Sequence, residues 1–438
     1  MKKQVLMLFV ILFLYLPAER GVLAQSMANA YIQDIPGIGL DWERRGQNRL
    51  RADVCPSGQE GDPDFSTTVE YPVYPPGGNG PLVVIDEAHY NFHTIECRYK
   101  PLANLLTNDG YTVKGSTTIY EKFDKAQLQN AGVKILIVAN ALAKSNFEGE
   151  WKLPIPSAFA PDEITELEEW VYEGGSLMLI ADHFPFPGAA QKLANEFGFT
   201  MVNGYTIANP ADNDIEFSKD VLASDSSSLT QNPITYGRQG FNEEVPFVYS
   251  FTGSVFSPIL SHPYGMRNLM ILGPNIHTAL FSNEDELLSF NGIENVPHVL
   301  SWYRLQGATL IHGKGRLAIF GEASMFTAQL CLKAPCELGC TIPCKTGMNS
   351  PKAPYNKQFA LNVVHWLDRV IDDDSVASED CVEIGQSQPV EIDKNLNVHI
   401  PCATFHGQDR DMNVTIDLEH APDDGKFLRF DADYTILE

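Results

Sequence analysis

The chain has 438 residues and a formal net charge of −25, with 44% hydrophobic and 20% charged residues. This hydrophobic content excludes an intrinsically disordered protein and is sufficient for one large domain with a smaller one beside it. The strong negative charge excludes nucleic acid and anionic membrane surfaces as favourable partners.

The N-terminus has the three parts of a secretory signal. Lys2 and Lys3 precede an apolar run at 5–16, and the small residue Ala24 lies where signal peptidase would cleave. The run is too short to span a bilayer. We therefore expect residues 1–24 to be removed and the mature protein to be secreted or periplasmic, without an integral membrane segment.

Eight cysteines are an even number, which in an exported chain favours disulfide bonds. Four of them lie close together between Cys331 and Cys344, without the CxxC spacing of a zinc knuckle. We predict that these four are bridged within their own loop, although the spacing does not define which cysteine pairs with which. The full set is Cys55, Cys97, Cys331, Cys336, Cys340, Cys344, Cys381 and Cys402.

An extended arm is predicted before the main domain. Residues 25–80 contain few periodic stretches and end in a segment rich in Pro and Gly. The apolar run Leu82–Ile85 then indicates a strand that is buried on both faces. It opens at once into residues that can donate or accept protons, namely Asp86, Glu87, His89, Asn91 and His93.

Helical and strand patterns alternate through the next part of the chain. Apolar residues at helical spacing predict helices at 98–108, 161–173, 189–197 and 356–370. Short apolar runs predict buried strands at 133–138, 176–180 and 316–320. Helices between apolar strands indicate an α/β fold, with a parallel sheet covered by helices on both faces. We assign residues 81–370 to this domain and residues 200–300 to an insertion of short strands and loops.

The C-terminal part has a different pattern. Residues 371–380 form an acidic linker. Residues 381–438 alternate apolar and polar positions in three segments, at 396–400, 413–418 and 427–430, which is typical of a small antiparallel β module. Cys381 and Cys402 could staple so small a module, and the module could dock to a protein partner.

Ionisable residues follow three of the buried strands, at 86–93, at 182–183 and at Glu322. Ligands of open α/β sheets gather at the carboxyl ends of the strands, so we predict one shared ligand site. Neighbouring carboxylates and imidazoles can divide acid and base roles because each shifts the pKa of the other. The predicted catalytic residues are Asp86, His89, His183 and Glu322. The predicted ligand-binding residues are Glu87, Asn91, His93, Arg98, Asp182 and Gly188, the last at a helix N-terminus that favours an anionic or strongly polar group.

Two other interpretations of these residues remain open. They could hold a divalent metal, but no HExxH or comparable spacing is present, so no metal ligands are assigned and the identity of any cofactor stays unknown. They could also form a hydrogen-bonded cluster that only shapes loops. The DEAH sequence at 86–89 matches a helicase motif without its GxxxxGK[ST] loop, and no GxSxG motif indicates a serine hydrolase.

Several segments together resemble an uncharacterised family of exported bacterial proteins related to the class I glutamine amidotransferases. They are Val84–Thr94, Arg98–Tyr99, Asp109–Tyr111, Ile180–His183, Pro187–Gly188, Phe320–Ala323, Gly347–Asn349 and His365–Trp366. The resemblance implies a flavodoxin-like fold over roughly residues 80–370. The turn equivalent to that of the catalytic cysteine contains Ala181-Asp182-His183, so the nucleophile of glutaminase chemistry is missing. The loop from Cys331 to Cys344 departs from the family pattern.

Relatives without the cysteine include domains proposed to bind sugars, so the resemblance implies a small polar ligand such as a glycan fragment. Aromatic residues near the site fit sugar stacking, and they fit loop packing equally well. One alternative is a hydrolase that uses His, Asp and Glu in acid–base chemistry, with or without a metal. The other is a non-catalytic scaffold. The aromatic residues are Tyr90, Phe92, Phe184 and Phe186.

Overall fold

The computed structural model describes residues 59–75, 77, 79–91, 93–116, 122–208, 214–251, 253–259, 265–290, 292–331 and 344–371. Beyond these it describes the backbone of five short strands between residues 382 and 436. The predicted signal peptide at 1–24 and the predicted strand at 427–430 lie outside the described residues.

The first part of the chain contributes strands to three sheets. In chain order these are β1 (Gln59–Gly61), β2 (Leu82–Ile85), β3 (Thr112–Gly115), β4 (Val133–Ala139), β5 (Ser176–Ile180), β6 (Phe199–Val202), β7 (Gly204–Ala208), β8 (Ile215–Ser218), β9 (Ser228–Leu229), β10 (Phe247–Ser250), β11 (Val255–Pro258), β12 (Met266–Ile271), β13 (Ile276–Leu280), β14 (His298–Leu300), β15 (Leu305–His312), β16 (Gly315–Phe320), β17 (Ala328–Cys331) and β18 (Cys344–Gly347).

The C-terminal strands form a separate antiparallel pattern. They are β19 (Val382–Glu383), β20 (Glu391–Ile392), β21 (Asn397–Phe405), β22 (Gln408–Ile416) and β23 (Ala432–Ile436). β21 pairs with β22 and β22 with β23, both antiparallel, while β19 pairs with β21 in parallel. Two strands predicted here, at 396–400 and 413–418, overlap β21 and β22.

Eight helices lie in the described part of the chain, together with short 3₁₀ turns at Ile293–Asn295 and Ser324–Phe326. The helices are α1 (Lys100–Asn108), α2 (Lys125–Asn130), α3 (Lys144–Glu148), α4 (Pro161–Tyr172), α5 (Phe186–Glu196), α6 (Pro233–Tyr236), α7 (Glu284–Leu288) and α8 (Asn356–Leu367). No helix among these residues is both long and apolar enough to cross a membrane.

The core of the protein is a parallel sheet of five strands. Their order across the sheet is β3-β2-β4-β5-β16. Numbered along the chain, this is the order 2-1-3-4-5 of flavodoxin-like folds, whose ligands bind beyond the carboxyl ends of the strands. The predicted α/β, flavodoxin-like fold class is confirmed.

The sheet continues beyond this parallel core. β15 pairs with β16 in an antiparallel hairpin that turns at Gly313, where φ is +59°, and β12, β9, β8 and β10 follow in order. The segment predicted as an insertion therefore extends the main sheet. As a consequence β16 is an interior strand, although it is the last strand of the parallel core.

Side chains alternate between two apolar layers. In β5, Leu177 and Leu179 pack with α2, α4 and α5, whereas Met178 and Ile180 pack with α1 and α8. We call the α4 side the first face and the α8 side the second face. Burying each such side chain stabilises the fold by about 1.5 to 3 kcal/mol. Helices cover both faces of the sheet, as predicted.

Two of the predicted helices differ from the observed ones by three residues at one end. The helix predicted at 189–197 begins at Phe186, because Pro187 fits the first turn, where a backbone N–H would have no helical partner. The helix predicted at 356–370 ends at Leu367, and Arg369 follows with a φ of +67°, in the left-handed region that interrupts a helix.

The described part of the predicted arm lies along the main sheet. The backbone N–H of Val73 donates to Asp109 over 2.9 Å, and the hydroxyl of Tyr74 donates to Asp368 over 2.6 Å. The buried carboxylate of Asp109 also lies 2.6 Å from Nε2 of His365. These bonds hold the arm to α1 and to the end of α8.

Two of the clustered cysteines belong to paired strands. β17 pairs with β18 in antiparallel register, and Cys331 lies directly opposite Cys344. Residues directly opposite each other in such a ladder have Cα atoms about 4.5 to 5.5 Å apart, which is within the range of a disulfide. The bridging of the four clustered cysteines stays a prediction, and this register favours one particular pair.

Candidate functional site

The predicted site residues divide between the two faces of the sheet. Asp86 comes one residue after β2 and continues the first face, to which Val84 belongs. Asp182 and Glu322 come two residues after β5 and β16, and they continue the second face of Ile180 and Phe320. Successive side chains of a strand point to opposite faces of the sheet. Asp86 follows its strand by one residue and the other two acids follow theirs by two, so Asp86 lies on the opposite face from Asp182 and Glu322.

On the first face lies a group that we call the imidazolium cluster, formed by Asp86, His89 and Glu163. Nδ1 of His89 lies 2.9 Å from Oδ2 of Asp86, and Nε2 lies 2.9 Å from Oε1 of Glu163. All three side chains are buried, and the His89 ring packs against Phe123 and Phe159. The cluster joins the loop after β2 to the first turn of α4.

Both nitrogens of His89 face carboxylates, so the ring carries a positive charge. Burial alone would lower the pKa of His89, but Asp86 and Glu163 outweigh burial and raise that pKa to about 10. Glu163 also accepts the backbone N–H groups of Phe123 and Ala160. The polar atoms of Asp86 and His89 are therefore engaged within the imidazolium cluster, on the first face of the sheet, and a single site that includes these two residues stays a prediction.

A second group, which we call the carboxyl site, lies at the ends of β5 and β16 beside β7 and is formed by His93, Asp182, His183, Tyr205 and Glu322. Asp182 and Glu322 continue the second face, whereas the ring of Tyr205 belongs to the apolar layer of the first face. Each of these side chains is at most 5% exposed. The backbone N–H of Asp182 donates to Oδ1 of Asn140 over 2.9 Å. Oδ1 of Asp182 in turn accepts the backbone N–H of His183 over 2.8 Å. Asn140 has a φ of +54°, so a tight turn at the end of β4 supports the end of β5.

Glu322 is the acid of this site. Its two carboxyl oxygens each accept a backbone N–H, from Ser324 and from Met325, over 2.7 Å. Burial and the negative charge of Asp182 nevertheless hold the pKa of Glu322 well above its ordinary value. We conclude that Glu322 keeps its proton when most carboxyl groups have lost theirs.

His183 has a defined tautomer. Its Nδ1 lies 2.7 Å from the carbonyl oxygen of Phe184. A carbonyl can only accept, so Nδ1 carries the ring proton and Nε2 is the atom that can take up another one. The ring lies against Phe186 and Tyr205, with centroids 5.6 Å apart in both pairs.

Two buried polar atoms of the carboxyl site have no hydrogen-bond partner among the described residues. They are Nδ1 of His93 and the hydroxyl of Tyr205. Burial, Arg98 and His183 lower the pKa of His93, so its ring is uncharged. Buried polar atoms are almost always satisfied in folded proteins, so these two indicate a place for a ligand or for ordered water.

The sequence did not predict Tyr205. It lies in β7, within the segment that was interpreted as an insertion, and no motif marks it. Burial, followed by the negative charges of Asp182 and Asp214, raises its pKa, which places its hydroxyl in the field of the carboxyl site.

The remaining predicted ligand-binding residues have structural contacts. Glu87 accepts the N–H of Ile95 over 2.7 Å, and Asn91 donates to the carbonyl of Ala139 over 3.1 Å, so both shape the loop after β2. Arg98 is half-buried, and its positive charge acts on the ring of His93.

Gly188 lies in the first turn of α5, where a ligand group is predicted. Its backbone N–H donates to Oδ1 of Asn203 over 3.2 Å, and the N–H of Phe186 donates to the carbonyl of His183 over 3.0 Å. Pro187 has no N–H. The N–H groups of Phe186 and Gly188 are therefore bonded within the protein, and a ligand group at this helix terminus stays a prediction.

A metal centre has no support in the described part of the chain, where no three His, Cys, Asp or Glu side chains are grouped as ligands. The carboxyl site instead combines a protonated acid, a second carboxyl group and a neutral imidazole. This set can transfer protons and can form hydrogen bonds to an uncharged ligand.

No protein-family model matches the chain, and no curated protein matches it. Among solved structures it is similar to the mmIFT52 N-terminal domain, at 14% identity and a TM-score of 0.40, over 65% of this chain and 96% of that one. It is also similar to a ThuA-like protein from Bacteroides uniformis, at 10% identity and a TM-score of 0.35, over 72% and 98% of the two chains.

A third similar structure is the exo-β-1,4-mannosidase Op5Man5 from an Opitutaceae bacterium. The identity is 14% and the TM-score is 0.26, over 56% of this chain and 31% of that one. These scores concern overall shape and add nothing to the chemistry of the site. The amidotransferase-like family therefore stays a prediction.

Proposed function

We propose that the carboxyl site binds a small, uncharged, polar ligand in an exported protein. The observation that carries this proposal is the pair of unpartnered buried atoms, on His93 and Tyr205, beside two carboxyl groups. Uncharged ligands of this kind include the hydroxyl groups of a sugar. Residues 1–24 as a removable signal and residues 381–438 as a separate β module belong to the same proposal.

The charge of the site supports an uncharged ligand over an anion. Burial raises the pKa of Glu322 and the pKa of Tyr205, and the negative charge of Asp182 raises both of them further. The same charge would repel a carboxylate or phosphate that entered among these groups, since charges interact strongly where water is excluded.

The first test is a calorimetric titration with matched sugars. The panel contains glucose, galactose, mannose and N-acetylglucosamine, with glucuronate and galacturonate as anionic counterparts. We expect at least one neutral sugar to bind, and its uronate to bind at least about tenfold more weakly. Asp182→Asn should weaken the neutral sugar by about 10- to 100-fold, as expected for the loss of a hydrogen bond to a charged group.

Asp220→Asn is the matched control, because Asp220 is an exposed carboxylate whereas the carboxyl site is buried. It should leave every affinity unchanged. If none of the sugars binds the wild-type protein, or if uronates bind as tightly as neutral sugars, the proposed function is wrong.

A hydrolase is the second candidate, and one observation favours it. Glu322 holds a proton beside the negative charge of Asp182, so one carboxyl group of the site can serve as an acid and the other as a base. Nitrophenyl glycosides and nitrophenyl acetate would report turnover. Glu322→Gln keeps the shape but cannot release a proton, so it should abolish turnover while Asp220→Asn retains it. Wild-type protein without turnover would reject this candidate.

A further inference from the structure

Tyr205 combines complete burial with an unpartnered hydroxyl. Its side chain is 0% exposed, and no described residue bonds the hydroxyl. Its backbone is fixed, because β7 pairs with β13 along its whole length and Tyr205 lies opposite Ala279. The ring also packs against Phe290, with centroids 6.2 Å apart. The ring is therefore a core group, whereas the hydroxyl has no role in the packing.

Other hydroxyl groups of the same small sheet are satisfied. The hydroxyls of Thr206 and Thr278 lie 2.9 Å apart, and that of Thr278 lies 2.7 Å from the hydroxyl of Ser301. Only the opposite side of β7, where Tyr205 lies, presents a buried hydroxyl without a described partner. A phenylalanine would fill the same space without leaving a polar atom unsatisfied, so the hydroxyl lowers stability where it lies.

We infer that the hydroxyl of Tyr205 is a ligand-binding group of the carboxyl site, and that it hydrogen-bonds an uncharged ligand together with His93. This inference rests on the proposed function. The ring of Tyr205 contacts that of His183, with centroids 5.6 Å apart, and His183 is also one of the groups that lower the pKa of His93. A ligand that satisfies both Nδ1 of His93 and the hydroxyl of Tyr205, which lie around the ring of His183, needs at least two hydroxyl or carbonyl groups.

The hydroxyl of Tyr205 remains protonated in this setting, because burial and then the negative charges around it raise its pKa. A phenol can both donate and accept a hydrogen bond, and so can a hydroxyl group of the ligand. A ligand that carries only an acceptor would also fit, but an anion would meet the charge of Asp182. The ligand class is therefore an uncharged compound with two or more polar groups.

Tyr205→Phe separates this role from a structural one, since stability and affinity should change in opposite directions. We expect the unliganded variant to melt about 2 to 4 °C higher, because an unsatisfied buried hydroxyl is removed. We expect its affinity for the tightest neutral sugar of the panel to fall at least tenfold. Thermal unfolding and calorimetric titration measure the two effects on full-length protein.

Thr278→Val is the matched control, because it removes a satisfied hydroxyl from the adjacent strand. It should melt lower and bind the sugar as the wild type does. If Tyr205→Phe melts lower, the hydroxyl has a partner such as water and the inference is overturned. If it binds as tightly as the wild type, the inference fails while the proposed function stands. If the wild-type protein binds no sugar of the panel, both are overturned.

Discussion

Replacing His89 by alanine is expected to lower the free energy of unfolding by about 3 to 5 kcal/mol, because removing one partner leaves buried charges without compensation. His89 separates the carboxylates of Asp86 and Glu163, and its ring lies between Phe123 and Phe159. The substitution leaves two buried carboxylates that face a cavity. Urea unfolding at pH 7 measures the effect.

His298→Ala is the control, since His298 is exposed, and surface substitutions usually change stability by less than about 0.5 kcal/mol. A double-mutant cycle with Glu163→Gln separates charge from packing. Once His89 is absent, Glu163→Gln should be much less destabilising than it is in the wild type. A loss of under about 1 kcal/mol for His89→Ala would show that the imidazolium cluster is not ionised.

Stability is expected to fall steeply from pH 7 to pH 10. The pKa of His89 is raised from 6.5 to about 10 in the folded protein, so the folded state holds a proton that the unfolded state releases. This stabilisation is complete below pH 6.5 and is lost as the pH rises toward 10, at up to about 1.4 kcal/mol per pH unit. The groups that face His89 are Asp86 and Glu163, and both are carboxylates.

Ionisation of Glu322 also lowers the stability of the folded protein as the pH rises, and this loss begins at a lower pH than the loss caused by His89. Burial and then Asp182 raise the pKa of Glu322 above its ordinary 4.5, so its contribution is lost as the pH rises above that value. Urea unfolding at each pH should therefore show a steady decline for the wild type. Glu322→Gln cannot ionise and should flatten the part of the decline that begins above pH 4.5, while keeping the decline that His89 causes. A wild-type stability that increases from pH 7 to 10 would contradict both assignments.

The sequence predicted the strands of the parallel core better than it predicted the site at their ends. Apolar runs at 82–85, 176–180 and 316–320 are strong signals, because a strand that is buried on both faces tolerates few polar residues. The site depends on a finer property. Asp86 follows its strand by one residue and Asp182 follows by two, which places them on opposite faces. Counting the alternation from Val84 and Ile180 would have shown this separation.

Two residues that matter could not be predicted from local patterns. Glu163 has the expected character of an acidic residue in the first turn of a helix, and nothing nearby indicates that it contacts His89 across 74 positions. Tyr205 lies in a short strand whose neighbours give no polar signal. Both owe their roles to long-range packing, which a single sequence does not encode in its spacing.

The pairing of β15 with β16 has a consequence for the chemistry of Glu322. A flavodoxin-like sheet that ended at its fifth parallel strand would have an open border there, and water could solvate a carboxyl group at that border. Here the antiparallel strands added by residues 200–312 close the border, and Glu322 is fully buried. The acidity of one side chain is thus set by strands that lie outside the parallel core. Loss of that extension in a related chain would restore an ordinary, ionised glutamate.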